Sequence, residues 1–294
     1  MGNNPIIQFF NNLLTLQNTF DWKVVQHYLF SIFIVQGVIL TVILSVLAQL
    51  LGSLIGLLLY FARRSRFQVV RGVANVYIWF FRGTPLVVQI LAFSLLIPNL
   101  KLYKPLNKID IFTAFGYHNV FFAVFVAALA ALSLNEGAYM SEIVRAGIDS
   151  IDAGQMEAAK SLGMTYWKGM QRVVLPQAMR VIIPPLGNEF NNMLKSSSLA
   201  AFISLNELLG TATNIGAANF RELELLVTAS FWYLALTTVW GFVQAAIERK
   251  FNASNIDPSA VDRMSWWKRG FGLARKPVPV MAPETAISEF GDRR

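Results

Sequence analysis

QMEAAKSLGMTYWKGMQRVVLP, residues 155–176, decides how the chain is read. It is a polar, helix-forming insert between two apolar segments. Within it, Glu157-Ala158-Ala159 is followed by Gly163 and then by Leu175-Pro176. Ala158 and Ala159 offer a small-residue patch on which another surface can approach the backbone, and Gly163 lets the chain change direction before the next apolar segment. Two readings fit these residues: a short helix that docks on a partner, or a polar loop helix lying on a membrane.

The rest of the chain supplies the membrane. Its 294 residues are 55% hydrophobic and 14% charged, with a mean hydropathy of +0.48, unlike an ordinary soluble domain. Several apolar runs reach the roughly 20 residues that a helix needs to cross a bilayer. The lack of Cys excludes disulfides, thiolate catalysis and cysteine-ligated metal sites. His27 and His118 stand far apart, which argues against a histidine-based metal site. The net charge of +8 raises nucleic acid as a partner, but its distribution points to membrane orientation instead. Residues 1–27 lack the basic start of a cleavable signal peptide, and 5–20 read as interfacial.

The expected fold class is an all-α polytopic membrane protein with about five spans, near 28–61, 72–98, 120–148, 173–194 and 223–247. The first run is ~50 Å long if helical, more than the ~30 Å hydrocarbon core, so it must tilt, break or begin outside the bilayer, and Gly37 offers a break. The second carries Arg82 mid-run; because 85–98 alone is too short to span, Arg82 is expected inside the helix, near the inner interface or in protein contacts. Pro176, Pro184 and Pro185 predict a broken fourth span. Residues 196–220, rich in Gly, Ala, Ser, Thr and Asn, suit a re-entrant or outward-facing helical loop packed against protein.

Charge then sets the orientation. Arg63, Arg64, Arg66, Arg71, Arg82, Arg145, Lys160, Lys168, Arg172, Arg180 and the basic residues of the tail fall on one side. Lys23, Lys101, Lys104, Lys108, Lys195 and Arg221 fall on the other. The positive-inside rule predicts an outside N-terminus and a cytoplasmic C-terminus, in agreement with an odd number of spans. The 155–170 helix is then cytoplasmic. The organisation is an extracytoplasmic or interfacial segment 1–27, a membrane domain 28–250, and a cytoplasmic tail 251–294. The tail's Pro-, Ser- and charge-rich composition builds no core, so it reads as largely disordered, with Trp266-Trp267-Lys268-Arg269 suited to a membrane interface.

The EAA, Gly and LP arrangement resembles the coupling motif of ABC importer permeases. Arg82-Gly83-Thr84-Pro85-Leu86 with Gln89 is similar to the RGTPL..Q motif of the polar amino-acid branch. Ala138-Tyr139 with Glu142, Arg145 and Gly147 resembles AYxxExxRxG, and Pro176-Gln177-Ala178 with Arg180, Pro184-Pro185 and Asn188-Glu189-Phe190 resembles PQAxR..IPP..NEF. Lys195-Ser196-Ser197-Ser198-Leu199 resembles KDTSL, with Ser196-Ser197 in place of Asp-Thr. The resemblance covers about 35–250; the segment 99–118 and the tail lie outside it. It implies a type I ABC importer permease of the histidine/glutamine/arginine/glutamate type in the bacterial cytoplasmic (inner) membrane. It implies a second permease copy or a related permease, an extracytoplasmic binding protein and two ABC ATPase subunits that use ATP and Mg. It also implies that Gln155, Met156, Glu157, Ala158, Ala159, Ser161, Leu162 and Gly163 couple to the ATPase. The chain carries no G-x-x-x-x-G-K-[ST] and is expected to bind no cofactor and to catalyse nothing.

Ionisable residues inside a membrane are costly and therefore candidates for function. Glu136 lies ~16 Å from the inner end of its span, near mid-bilayer, with Asn135 beside it. Its carboxylate suits the α-ammonium or cationic side chain of an amino acid, or equally a buried structural hydrogen bond. Glu189 with Asn188, Asn191 and Asn192 forms a second polar cluster, of which Glu189 and Asn192 are substrate candidates; a structural role fits Glu189 as well. Glu142 and Arg145, at i,i+3, read as a mutual ion pair, and Arg82 as a scaffold residue pairing with an acid on a neighbouring helix. Asp149 and Asp152 read as caps of the coupling helix, and Phe121, Phe122 and Phe125 as lipid-facing or core residues. A secondary transporter or channel would need no cytoplasmic docking helix and often shows repeated halves, which are not seen here. A membrane enzyme would need catalytic or metal-ligand spacings that the spans lack.

Overall fold

The computed structural model describes residues 20–99 and 119–252. The expectations for 5–20, 100–118 and 253–294 lie outside these residues. Ten helices are described: α1 (Trp22–Leu29), α2 (Ile32–Arg63), α3 (Gln68–Gly83), α4 (Leu86–Leu96), α5 (Asn119–Asp149), α6 (Ala153–Ser161), α7 (Tyr166–Gly169), α8 (Leu175–Ser196), α9 (Leu208–Asn219) and α10 (Glu222–Asn252). Among the described residues there is no strand.

Helix α2 starts where the Ser31 hydroxyl accepts from the Ile34 N–H, and it then runs unbroken through Gly37. That glycine is there for packing: an added Cβ would lie 3.0 Å from the Cα of Leu208 in α9. Two turns of small residues further on do the same for α5. A Cβ on Gly52 would stand 2.6 Å from Cβ of Glu136, and one on Gly56 would collide with Met140. Small residues four apart let two membrane helices touch along their backbones. Residue numbers rise together along this contact, so α2 and α5 are parallel, as two odd-numbered spans must be. Leu40, Leu44 and Ala48 of α2 close a buried cluster with Ile90 of α4, Ala128, Ala131 and Leu132 of α5, and Met193 of α8.

The second apolar run is not one helix. Helices α3 and α4 meet at a bend of 110°. The residue before a proline is pushed out of the helical region, and Thr84 before Pro85 is extended, with φ −112° and ψ 144°. Arg82 therefore sits in the last turn of α3, not in mid-span. The Gln89 side chain, 4% exposed, donates to the carbonyls of Phe81 (3.0 Å) and Thr84 (3.1 Å), two acceptors that the bend leaves open.

The prolines of the fourth run do not break it. Pro184 and Pro185 lie inside the continuous helix α8, which follows α7 through a π turn at Met170–Val174. Proline in a membrane helix is tolerated when the surrounding protein holds the helix together. Here α10 braces the turn that holds and follows the prolines: Trp240 Nε1 donates to the Gly187 carbonyl (2.8 Å) and Gln244 Nε2 to that of Pro184 (3.4 Å).

Among the described residues, α2, the 122–149 part of α5 and the 222–251 part of α10 are long and apolar enough to cross a membrane, and the bent pair α3–α4 makes a fourth candidate. The chain is a multi-pass membrane protein. Against the expectation of about five spans, three long helices and a bent pair meet this measure among the described residues. Helix α8 has 22 residues, ~33 Å, enough to span. It falls short in composition, because Arg180, Asn188, Glu189, Asn191, Asn192 and Lys195 interrupt its apolar surface. Residues 196–220 form a 3₁₀ turn, Ser197–Ile203, followed by α9, as a protein-packed helical loop requires. Helix α1 straddles the expected boundary at 27/28; Trp232 Nε1 of α10 donates to its Leu29 carbonyl (2.7 Å).

Candidate functional site

One stripe of α5, carrying Leu132, Asn135, Glu136 and Tyr139, faces one stripe of α8, carrying Glu189, Asn192, Met193 and Ser196. The spacing of three and four residues puts each set on a single helix face. Together with Thr84, Pro85 and Leu86 at the α3–α4 bend, and with Lys195, they line a cavity of about 550 Å³. The four candidate residues Asn135, Glu136, Glu189 and Asn192 thus share one cavity. Asn188 turns away from it, toward Gln244 of α10 (3.2 Å).

Two glutamines that sequence reasoning did not single out hold this wall. Glu136 is 5% exposed, and its Oε1 accepts from Gln49 Nε2 of α2 at 3.1 Å. Asn135 Nδ2 donates to the Phe81 carbonyl (2.9 Å) and to Gln89 Oε1 (3.0 Å). Gln89 stood in the RGTPL..Q motif, and Gln49 was one of two amides, with Gln36, inside an apolar run; both signals were visible without a partner to assign.

Beyond Tyr139 the same two stripes continue. Ile143 and Ala146 of α5 and Val181 and Pro185 of α8 line a second cavity of about 290 Å³ with Arg82, Glu142 and Arg145. The expected Glu142–Arg145 pair is present at 2.7 Å, and the same carboxylate meets Arg63 at 2.6 Å and Arg82 at 3.9 Å. Arg82 also lies over the Tyr139 ring, 5.4 Å from its centroid. Asp149 caps nothing; it pairs with Arg145 (3.3 Å) and Arg64 (3.5 Å).

The 155–176 segment is built as a capped helix on a hinge. Asp152 is the N-cap of α6, accepting from the Gly154 N–H at 2.6 Å. At the other end Gly163 is left-handed, φ +78°, with Gly163 N–H bonded to the Lys160 carbonyl and Met164 N–H to that of Ala159. That is a Schellman turn, which glycine adopts without strain. Ala159 is buried: an added Cβ on Gly169 of α7 would meet it at 3.3 Å and the Met156 sulfur at 3.0 Å. The small-residue patch is therefore split, with Ala159 packed inward and Ala158 outward. Gln155, Glu157, Ser161 and Gly163 are exposed, and Leu162 is 80% exposed.

The family of the binding-protein-dependent transport system inner membrane component matches residues 50–253. The chain belongs to this family. The permease is 39% identical to an arginine transport system permease protein, ArgU, of Corynebacterium glutamicum, over 84% of this chain and 75% of that one. It is 38% identical to the L-cystine transport system permease protein TcyB of Bacillus subtilis, over 83% and 97%. A crystal structure of an amino acid ABC transporter with histidines superposes with a TM-score of 0.62 at 34% identity, covering 74% of this chain and 94% of that one. The resemblance carried by the five sequence motifs is thereby borne out: the permease is the transmembrane subunit of an ABC importer, and ATP hydrolysis belongs to a separate subunit.

Proposed function

We propose that the permease forms the membrane path for a polar amino acid, delivered by an extracytoplasmic binding protein across the bacterial cytoplasmic membrane. It works as a pair with a second copy or a related permease. Two ATPase subunits, binding ATP and Mg, each hold one α6 helix through the exposed faces of Gln155, Glu157, Ala158, Ser161 and Leu162. Positive charge around 61–82 and 145–180 supports a cytoplasmic position for α6.

The observation that carries this reading is the cavity between α5 and α8. Glu136 and Glu189 offer carboxylates to an α-ammonium or a cationic side chain, Asn135 and Asn192 offer amides, and Lys195 offers an ammonium to a carboxylate. A zwitterion needs both signs of partner, and the low-dielectric walls strengthen each contact. The names of the relatives, which transport arginine and cystine, agree with such a cargo. Uptake by the reconstituted transporter with its binding protein, in competition with cationic, acidic and amide amino acids, tests it. Saturable, ATP-dependent uptake of at least one of them is expected; uptake of none would sink the assignment.

A further inference from the structure

The inner cavity has a charge pattern of its own. Arg63, Arg82 and Arg145 converge on the single carboxylate of Glu142, and Arg64 and Arg145 share Asp149. Four guanidinium groups thus stand over two carboxylates, an excess of positive charge. Arg82 meets Glu142 only at 3.9 Å, beyond hydrogen-bond distance, so its N–H fork is not consumed by that pair. Arg82 and Arg145 both line the cavity with Glu142, and Ile143, Ala146, Val181 and Pro185 give it apolar walls.

This cavity lies on the same faces of α5 and α8 as the outer one, with Glu142 ~9 Å along the helix axis from Glu136. Tyr139 lines the outer cavity and carries Arg82, which lines the inner one, on its ring. Whatever leaves the outer cavity along these faces meets Arg82 next.

We propose that Arg82 and Arg145, poised by Glu142, form a second station on the path that takes the α-carboxylate of the departing amino acid. The proposal rests on the reading of the outer cavity as the cargo site. A planar guanidinium fork matches a carboxylate bidentately, and Glu142 on the same wall is placed for the α-ammonium. Glu142 also keeps the site from holding its anion tightly, as a station on a transport path requires. An anionic lipid phosphate would satisfy the same guanidinium groups, but the shared stripes place this cavity on the cargo's route.

The chain contains no Cys, so a single Val181→Cys substitution puts a unique reporter on the inner wall; Ala146→Cys is the second reporter should the first lose uptake. The assembled transporter is placed in inside-out vesicles, and maleimide labelling is timed with L-arginine, L-glutamine, L-glutamate or L-histidine on the cytoplasmic side. The expected result is roughly tenfold slower labelling at about ten times the half-protecting concentration. Agmatine and histamine, which lack the α-carboxylate, give no protection. Protection disappears in the Arg82→Gln/Arg145→Gln pair, survives in Arg82→Lys at higher concentration, and survives in Glu136→Gln. Uptake in matched vesicles reads the cargo assignment separately. Uptake without protection overturns the station alone, and absence of both overturns the station and the cargo assignment together. Protection lost in Glu136→Gln, or labelling slowed by phosphatidylglycerol whatever the amino acid, also overturns the station.

Discussion

The Gln49 side-chain nitrogen lies 3.1 Å from Glu136 Oε1, linking the middle of α2 to the wall of the cavity between α5 and α8 that holds Glu136 and Glu189. Both residues are nearly excluded from solvent. A buried carboxylate that loses its donor bears a desolvation cost of about 1–3 kcal/mol. Gln49→Leu is therefore expected to raise the KM for uptake roughly tenfold with the transporter still assembled. Glu136→Gln should abolish uptake while basal ATPase activity of the complex stays near normal. Unchanged uptake affinity in both variants would remove Glu136 from cargo recognition.

Gly163 is left-handed and closes the Schellman turn behind α6. A β-branched residue there is strained by about 1–3 kcal/mol. Gly163→Val should tilt or fray α6 without touching the membrane helices. Glu157→Lys should leave the helix intact and reverse the charge on its exposed face. Both variants are expected to assemble in the membrane and to uncouple ATP hydrolysis from uptake. The measurement is the ratio of amino acid taken up to ATP hydrolysed, and a ratio equal to that of the unaltered protein would exclude α6 as the coupling element.

Some of this fold was legible in the residues, and what was not has physical causes. The capped helix around Glu157, the turn at Gly163 and the Glu142–Arg145 pair follow from local rules of capping, left-handed backbone and i,i+3 spacing, which need no tertiary partner. Proline rules misled at Pro184-Pro185: α8 continues through both, and the α10 side chains that brace it beside them, Trp240 and Gln244, lie far away in sequence. Gly37 read as a break, yet its missing side chain serves the close approach of Leu208. The bend at Thr84-Pro85 was signalled by the proline, but hydropathy merged its two arms into one span. Glu136 and Asn135 were visible as polar residues in an apolar run, whereas their holders Gln49 and Gln89 could be named only once α2, α4 and α5 stood side by side.

The α3–α4 bend leads to a third prediction. Gln89 donates to the Phe81 and Thr84 carbonyls and accepts from Asn135, so one amide fixes both the corner and a cavity residue. Gln89→Ala would take the donor from the half-buried Thr84 carbonyl and an acceptor from Asn135, leaving the Phe81 carbonyl with Asn135 alone, at about 1–3 kcal/mol. We expect a lower Tm in detergent together with weakened uptake affinity. Gln89→Glu keeps the shape but replaces the donor with an acceptor, so it should be at least as damaging as Gln89→Ala. If Gln89→Glu behaved as the unaltered protein, the amide would not be what holds the corner.

Glu207 leads to the fourth. Fully buried at the start of α9, it accepts from the N–H groups of Leu209 (3.1 Å) and Gly210 (2.8 Å), from Thr41 of α2 (3.2 Å) and from Tyr233 of α10 (2.9 Å). One carboxylate thereby joins three helices, and Thr41 Oγ1 in turn accepts from the Leu208 N–H at 3.1 Å. Charge-assisted hydrogen bonds are stronger than neutral ones, and members of one network do not contribute independently. Tyr233→Phe removes one donor and should cost about 1.5–3 kcal/mol. Glu207→Ala removes the cap and both cross-links and should cost more. Combining the two should add little to Glu207→Ala alone, since the tyrosine hydroxyl then has no carboxylate to meet. Thermal unfolding of the four proteins of this cycle in one detergent measures the coupling. Fully additive losses would mean that Tyr233 stabilises the fold by packing and that the hydrogen bond to Glu207 contributes nothing.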